Sequence, residues 1–170
     1  ANMWFLTKEG FQSYGIDGSA TAVRKCREIL DKEIPHWKGE VLVADMMNLP
    51  FQDSQFDAVI DCASLYCNNL TDTKKIMNEL YRVTKNSALF LSITFAKGCV
   101  GDETGEKIDH NYFIPATGPF VGSSPARFTE FSEIAFVYHP FIVQNVELIT
   151  RTVNNMKDTI KEFVIATCKL

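Results

Sequence analysis

Two short apolar runs, at residues 40–44 and 56–62, constrain the fold of this chain more than any other feature. Both runs are rich in Val, Ile and Leu and are bounded by polar or turn residues, which predicts strands. Neither run alternates cleanly between apolar and polar residues, and this is typical of buried strands in a parallel sheet that helices cover on both faces. Asp45 follows the first run, and Asp61 lies near the end of the second. Since ligands in open α/β sheets bind beyond the carboxyl ends of the strands, we expect the functional site there.

The residues before these strands repeat a strand–helix–strand order. Residues 1–9 predict a helix and residues 11–16 a strand that closes on Asp17. Ser19 is predicted to cap a second helix that continues to Glu33. Crossover helices of this kind connect parallel strands.

The remaining chain predicts two further helices and three further strands. A helix is predicted from Thr71 or Asp72 to Thr84, then a strand over 87–95, and Thr129 is predicted to cap a short helix that ends at Val137. The last predicted elements are strands at 141–153 and 159–168, joined by a tight turn as an antiparallel hairpin.

Residues 96–128 differ from the rest of the chain because glycines and prolines recur throughout them and exclude long regular elements. A segment this long without regular structure is usually functional in a compact domain. We interpret 96–128 as an insertion that covers the substrate.

Composition limits the class of protein and its partners. A chain of 170 residues with 46% hydrophobic and 22% charged residues predicts a single globular domain. The net charge of −4 offers no basic stripe for nucleic acid. Since there is no apolar run long enough for a membrane span and no secretion signal, the sequence predicts a cytoplasmic protein. Five cysteines without a CxxC pair and three scattered histidines predict reduced thiols and no metal site.

Four segments in order resemble motifs of class I S-adenosylmethionine (SAM)-dependent methyltransferases of the small-molecule type. They are YGIDGS at 14–19, ADMMNLPF at 44–51, FDAVID at 56–61 and ELYRVTK at 79–85. The resemblance implies an α/β, Rossmann-like fold with a mostly parallel sheet, helices on both faces and a terminal antiparallel hairpin. It also implies SAM as cofactor and methyl transfer to a small-molecule acceptor by in-line displacement. Neither nucleic acid nor a membrane is an expected partner, and the sequence does not specify the oligomeric state.

One departure from the family pattern is large. The family's first strand and glycine-rich loop are expected immediately before Ala1, and this sequence does not contain them. We interpret residues 1–170 as one methyltransferase domain that is incomplete at its N-terminus.

The resemblance assigns cofactor contacts to two acidic turns. Asp17, followed by Gly18, is expected to accept hydrogen bonds from the ribose hydroxyls, because a carboxylate has two accepting oxygens. Asp45 is expected to bind the adenine amino group, and the backbone N–H of Met46 a ring nitrogen. The alternative interpretations are a turn residue for Asp17 and a loop carboxylate for Asp45.

The fourth-strand motif is expected to contact both the cofactor and the acceptor. Asp61, Cys62 and Ala63 are predicted cofactor contacts, and Asp61 is also a predicted catalytic residue. Ser64 and Tyr66 are expected to orient the acceptor, and Tyr66 is also placed among the catalytic candidates. A packed aromatic residue is the alternative for Tyr66.

The 96–128 segment and its end supply the remaining candidates. His110 is the predicted catalytic base, because its unperturbed pKa permits proton transfer near neutral pH. Tyr112 and Arg127 are predicted to bind the acceptor, and Arg127 or Arg151 is suited to an anionic one. A surface histidine and exposed ion pairs are the alternatives.

Two other classes of function stay open at this stage. Tyr81 and Lys85 form a Tyr-x-x-x-Lys pattern, which also occurs in NAD(P)-dependent oxidoreductases, although so short a pattern arises easily by chance. A non-catalytic binding domain derived from the methyltransferase fold is the second alternative, because function resides in the site and not in the fold.

Overall fold

The computed structural model describes residues 2–170 and divides the chain into two compact units. The first unit ends at Pro50, and the second extends from Phe51 to Leu170. Ala1, where the first predicted helix begins, lies outside the described residues. The single-domain interpretation stays a prediction.

The first unit contains two helices and two parallel strands. Its elements are α1 (Asn2–Lys8), β1 (Ser13–Asp17), α2 (Ala20–Glu33) and β2 (Gly39–Val43). The strands pair in parallel from Ser13↔Gly39 to Asp17↔Val43. Every predicted element of this unit is therefore present, with β1 beginning two residues later and β2 one residue earlier than predicted.

Helix α2 begins where the sequence predicts. The Oγ atom of Ser19 accepts a hydrogen bond from the backbone N–H of Ala22 at 3.3 Å, which satisfies one of the free donors of the first turn. The helix buries Val23 and Leu30, which share a small core with Val41 of β2.

The second unit contains two sheets and two helices. Its elements are β3 (Phe56–Cys62), α3 (Leu70–Val83), β4 (Thr84–Phe95), β5 (Glu106–Asp109), β6 (Tyr112–Ile114), β7 (Ala126–Arg127), α4 (Ile134–Val137), β8 (Ile142–Val153) and β9 (Asp158–Cys168). The larger sheet has the order β3-β4-β9-β8, in which β3 and β4 are parallel and the other pairs antiparallel. The smaller sheet, β5-β6-β7, is antiparallel. The predicted terminal hairpin is confirmed as β8 and β9.

The predicted start of one helix and the predicted cap of another are wrong. Helix α3 begins at Leu70 because the Oδ1 atom of Asn69 accepts a hydrogen bond from the N–H of Asp72 at 2.9 Å. Thr129 does not cap a helix: its side chain is buried, and its Oγ1 atom has no hydrogen-bond partner within residues 2–170. A 3₁₀ turn, Phe131–Glu133, instead leads into α4.

The prediction that the two apolar strands are buried is also wrong. In β3 only Asp61 is buried, and in β2 only Val41. Each strand lies at the end of its sheet as described, with one hydrogen-bonded neighbour. The interior strands of the larger sheet are β4, which buries Phe90, Ser92 and Thr94, and β9, which buries Phe163, Ile165 and Thr167.

Residues 96–128 are short strands and turns packed around an apolar core that they share with β9. As predicted, no strand there exceeds four residues. The core of this part of the unit is formed by Cys99, Phe113, Phe120, Ala126, Phe128 and Ile160. The segment is therefore a packed part of the second unit, and its substrate-covering role stays a prediction.

The helices found in residues 2–170 are too short or too polar to cross a membrane. All five cysteines are free in this structure.

Candidate functional site

The carboxylates of the first unit lie beyond the ends of its two parallel strands. Asp17 is the last residue of β1 and is paired in register with Val43, so Asp45 lies two residues beyond the same edge. The Oδ1 atom of Asp17 accepts the N–H of Ser19 at 2.7 Å, and the Oδ1 atom of Asp45 accepts the N–H of Met47 at 2.8 Å. Both carboxylates are exposed and are oriented by their own turns. Gly18 and Met46 directly follow them.

A tight turn over residues 61–64 follows β3 in the second unit. Ala63 has a φ of 56°, in the left-handed region that an alanine rarely adopts. Two hydrogen bonds hold the turn: Ala63 N–H to the carbonyl oxygen of Ile93 at 2.9 Å, and Ser64 N–H to Oδ1 of Asp61 at 3.0 Å. Cys62 and Ser64 are exposed on either side of Ala63. Strained backbone of this kind persists where the surroundings impose it, which is common at functional sites.

Asp61 is a buried carboxylate at the start of a hydrogen-bonded chain. Its Oδ2 atom lies 2.9 Å from Oγ of Ser92, and that Oγ lies 2.8 Å from the hydroxyl of Tyr138. All three side chains are buried. Burial raises the pKa of Asp61, because the charged form is poorly solvated there, while the hydrogen bonds from Ser92 and Ser64 oppose the rise. Burial also raises the pKa of Tyr138.

Tyr66 lies in a 3₁₀ turn, Leu65–Cys67, and packs in an aromatic cluster. Its ring makes edge-to-face contacts with Phe95 and Phe120, at centroid distances of 4.8 Å and 6.0 Å. Burial is the main cause that raises the pKa of Tyr66 to about 12. The hydroxyl therefore stays protonated at neutral pH and can donate a hydrogen bond, but it is not a base.

Tyr112 and Arg127 are cross-strand partners in β6 and β7. The Tyr112 hydroxyl donates to the carbonyl oxygen of Cys67 at 2.8 Å, which connects this sheet to the turn that contains Tyr66. Arg127 is 1% exposed, and its Nε and Nη1 atoms have no hydrogen-bond partner in the described part of the chain. Burial lowers the pKa of Arg127, whereas electrostatic attraction to Tyr138, Glu133 and Tyr112 opposes that change.

His110 precedes Tyr112 in the turn between β5 and β6 and faces a carboxylate. Its Nε2 atom lies 3.2 Å from Oε2 of Glu133, and Nδ2 of Asn111 donates to the same oxygen at 3.2 Å. The imidazole is exposed, while most of the Glu133 side chain is buried. A carboxylate in this position orients the ring.

The structure thus places the predicted residues in two groups. Asp17, Gly18, Asp45 and Met46 belong to the first unit. In the second unit, Asp61 is hydrogen-bonded to Ser64. Tyr112 is hydrogen-bonded to Cys67, the residue next to Tyr66, and is paired with Arg127 across the strands. Arg151 does not join them, because it pairs with Glu162 across β8 and β9.

Sequence reasoning missed Ser92, Tyr138 and Glu133. Ser92 occupies a buried position between Phe90 and Thr94 on the inner face of β4. A polar residue at a buried strand position needs a partner, and this was the one signal available for Ser92. The side chains of Tyr138 and Glu133 meet the site only through packing between distant elements.

Tyr81 and Lys85 do not form an oxidoreductase pair. The Tyr81 hydroxyl donates to the carbonyl oxygen of Leu170 at 3.3 Å, whereas Nζ of Lys85 pairs with Asp57 at 2.7 Å. Tyr81 lies in α3 and Lys85 in β4, so the two are not on one helix face.

Acidic turns beyond parallel strands and a strained turn after the next strand define a Rossmann-like class of α/β protein. The methyltransferase domain family matches residues 2–92, more than half of the chain. The chain therefore belongs to the methyltransferase domain family, which confirms the predicted resemblance to class I SAM-dependent methyltransferases.

The curated proteins that this chain resembles in sequence are also named as methyltransferases. The chain is 36% identical over 75 residues to 2-phytyl-1,4-naphtoquinone methyltransferase of Nostoc punctiforme, covering 44% of this chain and 32% of that protein. It is 32% identical over 108 residues to demethylmenaquinone methyltransferase of Desulfitobacterium hafniense, covering 63% and 42%. The chain thus spans well under half the length of these relatives.

A solved structure shows the same fold. The SAM-dependent methyltransferase of Methanosarcina mazei superposes with a TM-score of 0.79 at 22% identity, over 98% of this chain and 85% of that one. At this identity the match establishes the fold alone.

Proposed function

We propose that this protein transfers the methyl group of SAM to a small-molecule acceptor. The family match over residues 2–92 carries the proposal, because that segment contains both acidic turns and the turn over 61–64. The proposal includes a mostly parallel sheet with helices on both faces. It is supported by β1-α2-β2 and β3-α3-β4, which each join a pair of parallel strands through a helix.

Asp17 and Asp45 suit the adenosyl part of SAM. Each has one carboxylate oxygen oriented by a turn N–H, and each is exposed, so its remaining acceptor capacity can bind ligand donors. We assign the ribose hydroxyls to Asp17, with Gly18 beside it. The adenine amino group is assigned to Asp45, and a ring nitrogen to the N–H of Met46.

The turn after β3 is the proposed contact region for the reacting groups. Asp61, Cys62 and Ala63 are assigned to the cofactor, and Ser64 and Tyr66 to the acceptor. When bound, SAM supplies a methyl group on positively charged sulfur. The protein then has to align the acceptor with that group and exclude water, for which a rigid turn and a packed tyrosine are suited.

His110 is the proposed base. We assign the Nε2 hydrogen of His110 to the contact with Oε2 of Glu133, which leaves Nδ1 as the basic nitrogen; Nδ2 of Asn111 lies 3.2 Å from the same Nε2 atom. Glu133 stabilises the imidazolium that forms when Nδ1 takes a proton from the acceptor. We propose that Asp61 contributes to the reaction by holding the 61–64 turn in place through its hydrogen bond with Ser64.

Arg127 and Tyr112 are the proposed acceptor-binding pair in the smaller sheet. The buried Nε and Nη1 atoms of Arg127 have no hydrogen-bond partner in the described residues, which is costly, and an acidic oxygen on the acceptor would remove that cost. The curated relatives are named for quinones, so a reduced 1,4-naphthoquinone is the first acceptor to test. The cytoplasmic location and the lack of a nucleic-acid partner stay predictions from the sequence.

Calorimetric titration of SAM tests the cofactor assignment in the full-length protein. Asp17→Ala should weaken SAM binding by about 5- to 150-fold, the scale of a lost hydrogen bond to a charged group. Asp57→Ala is the control, because Asp57 is an exposed carboxylate paired with Lys85. Equal affinities in the two variants would remove Asp17 from the site.

Transfer of an isotopically labelled methyl group tests the reaction. Label should appear on the reduced naphthoquinone, together with one S-adenosylhomocysteine per transfer. His110→Asn should lower the turnover number by about 100-fold or more, while His36→Asn, in an exposed turn of the first unit, should not. SAM binding without label transfer to any acceptor in a panel of phenols, quinols, amines and thiols would favour the non-catalytic alternative.

A further inference from the structure

We propose that Tyr138 is a positioning residue that acts through Ser92 to hold the carboxyl group of Asp61 ionised and in a fixed orientation. This inference rests on the proposed function, because Asp61 belongs to the proposed site. Tyr138 follows α4, 46 residues along the chain from Ser92, and nothing in the sequence pattern connects the two.

The hydrogen-bond directions follow from the number of hydrogens available. Ser92 has one hydroxyl hydrogen, and its Oγ atom lies within hydrogen-bond distance of both Asp61 and Tyr138. An ionised carboxylate only accepts, so Ser92 donates to Asp61 and must accept from Tyr138. Two hydrogen bonds therefore point toward Asp61, and each strengthens the next by polarisation.

A neutral Asp61 allows this hydrogen-bonded chain to reverse. The protonated carboxyl donates to Ser92, whose own hydrogen is then free to point toward Tyr138. An ionised Asp61 instead needs the Ser92 hydrogen, so the Tyr138 hydroxyl, as a donor to Ser92, favours the charged state. Loss of that hydroxyl leaves Ser92 a weaker donor and shifts the balance toward the neutral acid.

Other ionisable groups also act electrostatically on this hydrogen-bonded chain, either directly or through Arg127. Asp61 and Arg127 act on Tyr138 with opposite sign, since Asp61 raises the pKa of Tyr138 and Arg127 lowers it. Cys67 faces Asp61, and Glu133 faces Arg127. Cys67 and Tyr138 both have pKa values raised by burial, so neither changes charge between pH 4 and neutrality.

The orientation of Asp61 also determines the geometry of the 61–64 turn. Oδ2 is held by Ser92, and this leaves Oδ1 directed at the N–H of Ser64. That second bond helps to hold Ala63 in its left-handed conformation. Tyr138 thus supports a strained turn at the site from a distant element.

Carbon-13 NMR titration of the Asp61 carboxyl group tests the proposal, with the signal assigned by Asp61→Asn. Tyr138→Phe keeps the ring and removes the hydroxyl, and it should raise the pKa of Asp61 by about half a unit or more. Tyr81→Phe is the matched control, because Tyr81 packs on Phe141 in the same unit and its hydroxyl donates to the carbonyl oxygen of Leu170. The acid limb of the pH profile for methyl transfer should move in the same direction as the pKa.

A second variant changes the sign of the effect without removing a contact. Replacement of Tyr138 by 3-fluorotyrosine makes the hydroxyl a stronger donor, so the pKa of Asp61 should fall. An Asp61 pKa that stays the same in a folded Tyr138→Phe variant, or that fails to fall with fluorotyrosine, would overturn the proposal. Both titrations are made without cofactor, so a failure of SAM to bind would count against the proposed function alone.

Discussion

Lys169 donates a hydrogen bond to the carbonyl oxygen of Thr84, at 2.8 Å, and so joins the end of the chain to the start of β4. The same Nζ atom donates to the carbonyl oxygen of Tyr81 at 2.8 Å and lies 4.5 Å from the centre of the Tyr81 ring. The residue is 9% exposed, which is unusual for a lysine. Helix α3 therefore ends on a cation that satisfies carbonyl oxygens of its last turn.

Lys169→Met should lower the free energy of unfolding by about 1–3 kcal/mol, because it leaves buried carbonyl oxygens without their donor. Urea denaturation measures the change. Lys75→Met is the control: Lys75 forms an exposed ion pair with Asp72, which contributes about 0–1 kcal/mol. Equal losses in the two variants would show that Lys169 does not act as a cap.

Asp61→Asn should remove a pH-dependent cost of folding. Because burial raises the pKa of Asp61 in the folded protein, its contribution to stability is complete below the unfolded value near pH 4 and is lost as pH rises through the folded pKa. An amide keeps the geometry, since Oδ1 can accept from Ser64 while Nδ2 donates to Ser92. The variant should therefore equal the parent protein in stability at low pH and exceed it by about 1–3 kcal/mol at pH 7.

Denaturant titrations at several pH values measure that difference, with Asp57→Asn as an exposed control. A gap between variant and parent that does not widen from pH 4 to pH 7 would contradict the account of Asp61. The same substitution should weaken SAM binding, so stability and function change in opposite directions.

Arg127→Met should leave stability unchanged or raise it by up to about 3 kcal/mol, because a buried cation with two unsatisfied nitrogens in the described residues is replaced by an apolar chain of similar length. The acceptor KM should rise at the same time. Chemical denaturation and steady-state kinetics measure the two effects. A loss of stability of several kcal/mol would show that the guanidinium is paired within the folded protein, and Arg127 would then be a structural residue.

Thr129→Val should be neutral or stabilising. The Oγ1 atom of Thr129 is buried without a hydrogen-bond partner in the described residues, and valine has the same shape without the hydroxyl. Asn69→Ala is the comparison: Asn69 caps α3, so its loss should cost about 1 kcal/mol. A similar loss in Thr129→Val would restore the helix-cap interpretation of Thr129. Thermal denaturation distinguishes the two results.

Local signals account for the elements that the sequence predicted well. Ser19 is followed by a helical apolar pattern, and the apolar run at 56–62 has polar neighbours on both sides, so α2 and β3 were placed at their observed bounds. The acidic residues at the strand ends follow from the same reasoning, because a strand that ends at Asp17 puts its carboxylate at the sheet edge.

The features that the sequence did not predict depend on interactions between residues that are far apart in the chain. Thr129 matches the composition of a helix cap, but its backbone bonds to Phe95 and its side chain is drawn into the core. The hydrogen bonds that join Ser92 to Asp61 and to Tyr138 span 31 and 46 residues. Burial of Arg127 depends on packing around β7, which no local pattern specifies.

Calorimetric titration of S-adenosylhomocysteine and of NADH into the full-length protein tests the central claim most directly. The account predicts one bound S-adenosylhomocysteine per chain and no heat of binding from NADH. Binding of NADH in preference to the adenosyl ligand, or binding of neither by a protein that circular dichroism shows to be folded, would contradict it.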